Sequence, residues 1–299
     1  MQQLHIPVLS EVLSSFLPQD RPFSYLDCTV GCGGHARHIL RTSSVRHFVG
    51  VDRDPSALEQ AQRALYSDLP ELYSFIHSDF ASFSEQAVKK GQSFDFLLLD
   101  LGMSSLQLDH PERGFSYRFR NAPLDMRMNP HDPLSALSIL QSYSERELSD
   151  LFFRGEVPRS RQLARALCIY RKKKPIETVE HLLEAVHPVL KKNRSLHPAT
   201  LLFQALRMEV NSELDQLQST LSLLPQLLSP EGVAAILSFH SLEDRMVKHS
   251  LKNQQQKGDL AILTKKPLGA SSEEKRKNKR SRSAKLRVAC RLLHTKPLP

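Results

Sequence analysis

The feature that most constrains the fold of this chain is a regular alternation of apolar runs and helical segments in its first hundred residues. Each predicted strand is six or seven residues long, and the segments between the strands carry the three-to-four-residue apolar spacing of helices. The predicted strands are 25–30, 45–51, 72–77 and 94–99, and the predicted helices are 34–41, 55–65 and 82–89. Strands that alternate with helices in this way form a parallel sheet covered on both faces. We therefore expect an α/β fold with a doubly wound sheet.

The alternation stops after residue 100. Residues 101–133 are rich in Gly, Pro and Arg and lack periodicity, and a loop of that length in a compact domain is usually functional. A helical pattern then fills 134–190 and 198–224, and the sequence at Ser144 and Glu147 predicts a capping box. The later predicted elements are strands at 233–239, 261–264 and 286–292 and a helix at 241–252.

These patterns predict one interrupted α/β domain. Its first part would be residues 1–108 and its second part residues 201–299, which contains a basic C-terminal segment. An all-helical domain, including a substrate loop, would be inserted at 109–200.

A glycine loop joins the first predicted strand to the first predicted helix. It reads Gly31-Cys32-Gly33-Gly34, and Asp52 stands at the end of the next strand. Glycine lets the backbone turn tightly and lets a ligand approach it closely, and the start of the following helix offers free N–H groups. A carboxylate at the end of the second strand can accept hydrogen bonds from ribose hydroxyls. Together the loop and the acid indicate a nucleoside-type ligand.

The loop also indicates which nucleoside-type ligand to expect. It reads G-x-G-G, not the G-x-G-x-x-G of dinucleotide sites, and an acid, Asp27, precedes it. This arrangement resembles the class I S-adenosylmethionine-dependent methyltransferases, whose ligand has an amine, a carboxylate and a sulfonium but no phosphate. On that resemblance Asp100 would lie near the cationic end of the cofactor, and Phe80 would pack on adenine. An ordinary core role for Phe80 remains the alternative.

Positive charge is concentrated in two segments of the chain. There are 41 basic and 32 acidic side chains in all, but residues 151–194 alone carry a net charge of +7 and residues 265–299 one of +10. Lys and Arg that contact phosphates release counterions. The two segments therefore favour docking on RNA or DNA over a membrane, because neither predicts an amphipathic helix with bulky anchors. A solvated helix end at 171–174 and a disordered arm at 275–287 are the alternatives.

The cysteine count and the hydropathy of the chain indicate whether disulfides, a metal site or membrane contact should be expected. Four cysteines in 299 residues do not make a disulfide framework, and no His or Cys pair accompanies Cys28 and Cys32 as in a zinc finger. We expect reduced cysteines and no metal. Apolar runs stay far below the roughly 18 residues that span a bilayer, and residues 1–5 lack a signal core. A cytoplasmic location without membrane contact follows as the expectation.

A more specific resemblance covers the chain from end to end. The matching segments are residues 5–9, 27–35, 50–54, 100–109, 113–116, 122–128, 197–200, 203–207, 238–245 and 280–287. The chain resembles the bacterial 16S rRNA (cytosine-N4)-methyltransferase family, RsmH, formerly MraW. The resemblance implies transfer of a methyl group from S-adenosylmethionine to the N4 amine of a decoding-centre cytosine, cytosine 1402, in the small ribosomal subunit.

The resemblance also implies particular site residues and two departures. The cofactor contacts carried over by position are Gly33, Gly34, His35, Asp52, Phe80, Asp100 and Gln107. Lys279 stands where the family pattern has Pro, which puts the shape of that turn in doubt. Leu201 and Leu202 stand where the family often has Arg, so one RNA contact is expected to be missing.

The residues that act on the target amine are less well defined. The N4 lone pair is delocalised into the ring, so the enzyme must align it with the methyl group and offer acceptors to the amine hydrogens. The usual (D/N/S)-P-P-(Y/F) motif is absent after the fourth strand. The candidates are Ser104, Ser105, Asp125 and His240. The serines can instead cap a turn, Asp125 can pair with Arg127, and His240 can be a core histidine.

Several alternatives stay open on the sequence alone. The loop 113–128 interleaves aromatic and Arg residues, which suits a grip on a flipped base or on the RNA backbone, but a lid packed on its own domain has the same composition. Rival functions are an NAD(P)-linked oxidoreductase, a DNA amino-methyltransferase, and a non-catalytic RNA-binding protein with a vestigial pocket. Two separate basic segments favour the assembled subunit over naked rRNA as substrate. A homodimer is one of the oligomeric states left open.

Overall fold

The chain divides into two compact units. The computed structural model describes residues 7–65, 73–190, 197 and 199–293. The first unit, here the sheet unit, comprises Met1–Gly102 and Asp215–Pro299, and the second, here the helical unit, comprises Met103–Leu214. The helical unit therefore begins and ends at other residues than the 109–200 derived from sequence patterns.

Among the described residues of the sheet unit, eight strands form one sheet. They are β1 Phe23–Asp27, β2 Val45–Asp52, β3 Tyr73–His77, β4 Phe94–Asp100, β5 Leu228–Ser238, β6 Leu260–Ile262, β7 Leu268–Gly269 and β8 Lys285–Arg291. The order across the sheet is β3-β2-β1-β4-β5-β8-β6, with β7 also paired to β8. The strands β1 to β5 are parallel. The α/β fold with a doubly wound sheet that the sequence predicts is confirmed.

One part of the sheet differs from an all-parallel arrangement. β8 runs antiparallel to β5, β6 and β7. Only β7 and a six-residue helix, Ser272–Lys277, separate β6 from β8 as regular α or β elements. A parallel return needs a crossover of a dozen or more residues, usually a full helix. The chain instead re-enters the sheet from the end that it left, so β8 fits between β5 and β6 in the reverse direction.

Thirteen α-helices are found in the described part of the chain. They are α1 Ser10–Ser14, α2 Gly34–Thr42, α3 Pro55–Leu65, α4 Phe80–Lys89, α5 Ser105–Asp109, α6 Ala136–Ser142, α7 Glu145–Arg154, α8 Ser160–Arg171, α9 Val179–Val186, α10 Thr200–Val210, α11 Glu213–Leu227, α12 Ser241–Lys257 and α13 Ser272–Lys277. Within the described residues, no helix is both long enough and apolar enough to cross a membrane.

Both faces of the sheet are buried, and successive strand residues serve opposite faces. Tyr25 belongs to one apolar cluster, which includes residues of α2 and α3, and the next residue, Leu26, belongs to another, which includes residues of α4, α11 and α12. Side chains of a strand alternate between faces. The near-continuous apolar run of β4 is therefore what a strand covered on both sides requires.

The helical unit has its own apolar core. Helices α6 to α10 supply most of it, and the loop before α6 adds Phe115, Leu124 and Met126. The predicted capping box is confirmed: Ser144 Oγ accepts from the Glu147 N–H at 3.3 Å, and Glu147 Oε2 accepts from the Ser144 N–H at 2.7 Å. Leu202, at a position where the family often has Arg, is fully buried in this core.

The extent of the helical unit follows from packing. α10 contributes buried apolar residues, among them Phe203 and Leu206, to the same cluster as α7 and α8. Its last turn also supports the long loop, because Asn211 accepts from the Met128 N–H at 2.8 Å and donates to the Met126 carbonyl at 2.8 Å. Residues 201–214 therefore belong with the helices and not with the second part of the sheet unit, where the sequence pattern put them.

Candidate functional site

The glycine loop between β1 and α2 has the backbone that only glycine adopts readily. Gly31 and Gly33 have φ of +52° and +82°, which is the left-handed region where other residues are strained. A Cβ on Gly33 would lie 3.3 Å from Leu65 Cδ1 and 3.4 Å from Ala61 Cα. Glycine therefore lets α3 pack directly against the loop. Gly33 is the N-cap of α2, and Gly34 is its first residue, so the N–H groups of the first turn are not used within the helix.

Asp52, at the end of β2, fixes this loop. Its Oδ2 accepts from the Gly31 N–H at 2.8 Å, and its Oδ1 accepts from the Asp54 N–H at 2.8 Å. A carboxylate offers about four lone-pair positions, so each oxygen can still accept one more hydrogen bond. Burial raises the pKa of Asp52 to about 6, although the two backbone N–H groups oppose that shift. Such a side chain both shapes the loop and can bind a pair of hydroxyls.

Asp27 performs the corresponding task at the end of β1. It is buried, and it accepts from the Tyr25 hydroxyl at 2.7 Å and from the Thr29 N–H at 3.2 Å. Burial raises its pKa to about 6. Thr29 in turn accepts from the Asp100 N–H through Oγ1 at 2.7 Å. This link between the loop and β4 was not predicted from the sequence, because no local signal separates such a Thr from any other loop residue.

Asp100 and His35 form an ion pair at the end of β4. Asp100 Oδ2 lies 3.3 Å from His35 Nδ1, and the other imidazole nitrogen, Nε2, lies 2.8 Å from the carbonyl oxygen of Val8. Both partner atoms are acceptors, so the two contacts together require a proton on each ring nitrogen. Burial alone would lower the pKa of His35, but the charge of Asp100 and the hydrogen bonds outweigh it, and the pKa is raised.

The second carboxylate oxygen of Asp100 is an acceptor that a ligand can use. Asp100 Oδ1 is buried and has no hydrogen-bond partner among the residues that the structure describes. A buried acceptor without a donor is costly, and native proteins keep one where a ligand or water completes it. His35, by contrast, uses both ring nitrogens within the protein. Its side chain therefore supports Asp100, and its backbone N–H lies in the first turn of α2.

Phe80 begins α4, directly after the segment that follows β3. The side chain is half-buried and packs at the edge of one apolar cluster of the sheet unit. Asp79 beside it caps the helix, because its carboxylate accepts from the Ser82 N–H at 2.8 Å and from the Ser82 hydroxyl at 2.7 Å. Phe80 thus combines a core contact with an exposed portion, and the two readings made from the sequence are compatible.

The sheet unit brings most of the expected cofactor residues to one edge. The loop with Gly33, Gly34 and His35 follows β1, Asp52 and Asp100 end β2 and β4, Phe80 follows β3, and His240 follows β5. The carboxyl ends of parallel strands lie at one edge of the sheet, where open α/β sheets bind their ligands. The arrangement fits a ligand with a ribose, which Asp52 can bind, and a cationic group, which Asp100 Oδ1 can accept.

His240 is the N-cap of α12. Its Nδ1 accepts from the Glu243 N–H at 3.4 Å, and its Nε2 lies 3.0 Å from Glu243 Oε1. Glu243 Oε2 accepts from the Phe239 N–H at 2.8 Å. Since Nδ1 is an acceptor, a neutral ring carries its proton on Nε2, which makes that nitrogen a donor and not a proton acceptor.

The remaining candidates, Ser104, Gln107 and Asp125, belong to the helical unit. Ser104 and Gln107 form a capping box at the start of α5: Ser104 Oγ accepts from the Gln107 N–H at 3.3 Å, and Gln107 Oε1 accepts from the Ser104 N–H at 3.1 Å. Asp125 pairs with Arg127, with Oδ2 to Nη2 at 2.7 Å and Oδ1 to Nε at 3.0 Å. Burial would raise the pKa of Asp125, but the Arg127 hydrogen bonds outweigh it and lower the pKa.

The loop 113–128 is used largely by its own unit. Phe115 is buried in the helical core, and the Tyr117 ring stacks on His197 with centroids 4.3 Å apart. Arg113 donates to the carbonyls of Arg127 and Met128 at 3.0 and 2.8 Å. These contacts match the sequence alternative of a loop packed on its own domain. Two other arginines of the loop, Arg118 and Arg120, have exposed side chains.

The basic C-terminal segment also contains structural cations. On β8, Lys285 Nζ lies 2.9 Å from Asp244 Oδ2, and Arg287 Nε lies 2.7 Å from Asp244 Oδ1. The segment from residue 271 to residue 291 forms α13, a 3₁₀ turn that begins at Lys279, and β8. Some of its charges are therefore paired within the fold. The alternative of a disordered arm over 275–287 is wrong, because the segment consists of α13, the 3₁₀ turn and β8, and β8 pairs with β5.

Comparisons with known proteins give matches over almost the full length of the chain. The model of the MraW methylase family matches residues 2–292. The chain is similar to Ribosomal RNA small subunit methyltransferase H of Koribacter versatilis, with 44% identity over 96% of this chain and 94% of that protein. Ribosomal RNA small subunit methyltransferase H of Cyanothece sp. is also 44% identical to this chain, over 97% of this chain and 95% of that protein.

Solved structures resemble the chain at a greater distance. One is the N-methyltransferase NodS from Bradyrhizobium japonicum in complex with S-adenosyl-L-homocysteine. It has a TM-score of 0.45 and 8% identity, with 94% of this chain and 85% of that chain covered.

Proposed function

The chain belongs to the MraW methylase family, and on that premise we propose that it transfers a methyl group from S-adenosylmethionine to the N4 amine of cytosine 1402 of 16S rRNA. Membership of this family makes the chain a methyltransferase, a class that uses S-adenosylmethionine. The same membership rules out the oxidoreductase alternative. The observation that carries the proposal is the near full-length identity to relatives named for methylation of small-subunit ribosomal RNA. The substrate is the small ribosomal subunit, and the reaction takes place in the cytoplasm.

The buried polar groups at the strand ends support the cofactor assignment. We assign the ribose hydroxyls to the two lone-pair positions that Asp52 leaves open, and the cationic amine of the methionine part to Asp100 Oδ1. Gly33 and Gly34 offer backbone that a ligand can approach, and Phe80 offers its exposed portion to the adenine. His35 holds Asp100 in place by its charge and is a positioning residue for the cofactor. Gln107 is assigned to the cofactor by resemblance alone, since its Oε1 already accepts from Ser104.

The difficult part of the methyl transfer is the activation of the acceptor nitrogen. S-adenosylmethionine supplies, when bound, a methyl group on a sulfonium that leaves as a neutral thioether. The cytosine amine must present its lone pair in line with that methyl and lose one proton after the N–C bond forms. Acceptors that face the amine hydrogens localise electron density on nitrogen, so a strong base is not required.

The three candidates for this role differ in what the fold leaves available. Ser104 Oγ accepts one hydrogen bond in the cap of α5, which leaves its own proton and one lone pair for the amine. Asp125 is held ionised by Arg127 and can still accept. His240 presents a donor at Nε2 next to Glu243 and is better suited to position the turn after β5. Ser104 and Asp125 are therefore the acceptors that we favour.

The decisive experiment is transfer of labelled methyl from S-adenosylmethionine to small subunits purified from cells that lack this enzyme. Nucleoside mass spectrometry of the product should show N4-methylated cytidine at one position. Deproteinised 16S rRNA in parallel should be a poorer substrate, and equal transfer would contradict the preference for the assembled subunit. Absence of transfer, while S-adenosylhomocysteine still binds, would refute the proposed substrate. The variant Asp100→Asn should lose cofactor affinity and activity together.

A further inference from the structure

Helix α8 carries positive side chains and no negative one. Its twelve residues contain three arginines and no acid. Helices α3 and α13 pair opposite charges at i and i+4, with Glu59 and Arg63 2.5 Å apart and Glu273 and Lys277 2.7 Å apart, whereas α2, like α8, contains arginines and no acid. On α8 the i and i+4 positions Arg161 and Arg165 carry like charges, which weakens a helix. Folding alone therefore gives no reason for this choice.

The basic side chains on and next to α8 form two groups. Those of one group have a hydrogen bond or ion pair with another described residue, and those of the other group have none. Arg159 donates to the Val189 carbonyl at 3.2 Å, Arg171 donates to the Leu140 carbonyl at 2.9 Å, and Lys174 pairs with Glu184 at 3.2 Å. These three side chains serve the fold of the helical unit. Another four, here the α8 cation face, are exposed and have no hydrogen bond or ion pair among the described residues. They are Arg161, Arg165, Lys172 and Lys173.

The geometry of the α8 cation face suits a chain of phosphates. Residues four apart lie on one side of a helix and about 6 Å apart along its axis, given a rise of 1.5 Å per residue. Arg161 and Arg165 therefore form a row, and Lys172 and Lys173 extend the positive charge just beyond the last turn. Ile169 continues the row at the next i+4 position and is 48% exposed.

A membrane is a poorer partner for this face than RNA. A helix that lies on a lipid surface needs a broad apolar face, and the apolar face of α8 is already buried in the helical core by Leu163, Ala164 and Leu167. Ile169 is the one large apolar side chain of α8 that is exposed. What remains for a partner is positive charge with guanidinium groups, which recognise phosphate oxygens.

We propose that the α8 cation face docks on the phosphate backbone of the RNA substrate. The proposal rests on the function proposed above and adds the surface by which the helical unit holds the substrate. The sequence indicates only an excess of positive charge over the segment 151–194, and the proposal assigns RNA docking to four side chains of that segment. It also excludes Arg159, Arg171 and Lys174 from this task, because the fold uses them.

The test compares two fourfold variants that lose the same charge. The first is Arg161→Ala/Arg165→Ala/Lys172→Ala/Lys173→Ala. The matched control removes four exposed lysines from helices of the sheet unit, or from the residue after one, none of them in an ion pair among the described residues. It is Lys89→Ala/Lys90→Ala/Lys252→Ala/Lys257→Ala. Binding of small ribosomal subunits is measured for each chain over a series of salt concentrations, with S-adenosylhomocysteine affinity as a check of folding.

The expected difference lies in the salt dependence. Each phosphate contact contributes about 0.7 to 0.9 to the slope of log affinity against log salt, so the α8 variant should lose about 3 from that slope and bind at least tenfold more weakly at moderate salt. The control should keep most of the slope, and both should keep their affinity for S-adenosylhomocysteine. The charge-retaining variant Arg161→Lys/Arg165→Lys should also retain the slope.

Three outcomes would overturn or separate the proposals. If the α8 variant and the control lose the same slope, only overall charge matters and the α8 face is a solvated surface. If anionic phospholipid vesicles or polyglutamate bind the chain as tightly as subunits do, and lose that binding in the α8 variant, the partner class is wrong. If wild type binds subunits through α8 but forms no N4-methylcytidine, the docking surface stands and the proposed function fails.

Discussion

A buried ion pair of the helical unit contrasts with two acids at strand ends of the sheet unit. In the helical unit, Arg207 is buried and pairs with Glu213 through two contacts of 2.8 Å. In the sheet unit, Asp27 and Asp52 lie at strand ends, and burial raises the pKa of both to about 6. Removing one member of a buried pair leaves the other charge uncompensated, whereas acids with a raised pKa at strand ends are candidates for ligand binding.

The contrast depends on position in the sheet and not only on the unit. Asp95 is the second residue of β4, near the opposite end of the strand from Asp100, and it is 3% exposed. Burial would raise its pKa, but hydrogen bonds from Ser24 and Arg21 outweigh it and the pKa is lowered. The same residue type on one strand is thus a structural acid at one end and a candidate ligand at the other.

The largest effect on stability is expected from the ion pair of the helical unit. Arg207→Ala leaves Glu213 without its bidentate partner and should lower the free energy of unfolding by about 3–5 kcal/mol. Hydrogen exchange should locate the loss of protection in residues 103–214. Arg146→Ala is the control, because Arg146 is 92% exposed and 3.9 Å from Asp150, and it should change stability by less than about 0.5 kcal/mol. Equal effects of the two variants would show that the buried pair has no special role.

The largest effect on cofactor binding is expected from Asp52. Asp52→Ala should weaken S-adenosylhomocysteine binding about 10- to 100-fold, which calorimetry measures. It should also cost about 1–3 kcal/mol of stability, because the N–H groups of Gly31 and Asp54 lose their acceptor. Asp95→Ala should destabilise the chain as well but leave the affinity unchanged. An affinity loss of the same size in both variants would mean that general destabilisation explains it.

The pH dependence should separate binding from stability. With a pKa of about 6, Asp52 gains a proton as the pH falls through 6, so S-adenosylhomocysteine affinity should fall by up to about tenfold per pH unit below that value. Asp52→Asn should remove this dependence. Asp27 and Asp52, whose pKa values are both raised, affect folding in the opposite direction. Between about pH 4 and 6 the native state binds more protons than the unfolded state, so the contribution of these two acids to stability rises as the pH falls. Affinity that stays constant from pH 7 to pH 5 would contradict the assignment.

A smaller effect is expected at Ser104. Ser104→Ala removes the cap of α5 and should cost about 1 kcal/mol. If Ser104 also accepts from the target amine, kcat should fall by more than tenfold while KM for the subunit changes little. Ser144→Ala, which removes the cap of α7, controls for the loss of a cap alone. Equal kcat values in the two variants would leave Ser104 with a structural role only.

Features that depend on local chemistry could be predicted from the sequence. The helix predicted at 55–65 is α3 Pro55–Leu65, and the strand predicted at 45–51 is β2 with one more residue. Both are short-range patterns of apolar spacing and of residues that begin or end elements. The glycine loop and the acid at the end of β2 can also be predicted locally, because each is recognised from its place at the end of a predicted strand.

Contacts that distinguish residues of the same type could be assigned only from the folded structure. Asp95 and Asp100 look equivalent in sequence, and the difference comes from Arg21 and Ser24 at one end of β4 and Thr29 and His35 at the other. These partners lie some 65 to 74 positions away along the chain. Contacts of that kind follow from the order and register of strands, which local patterns do not encode. For the same reason the basic runs could be counted from the sequence, but their division into paired and unpaired cations could not.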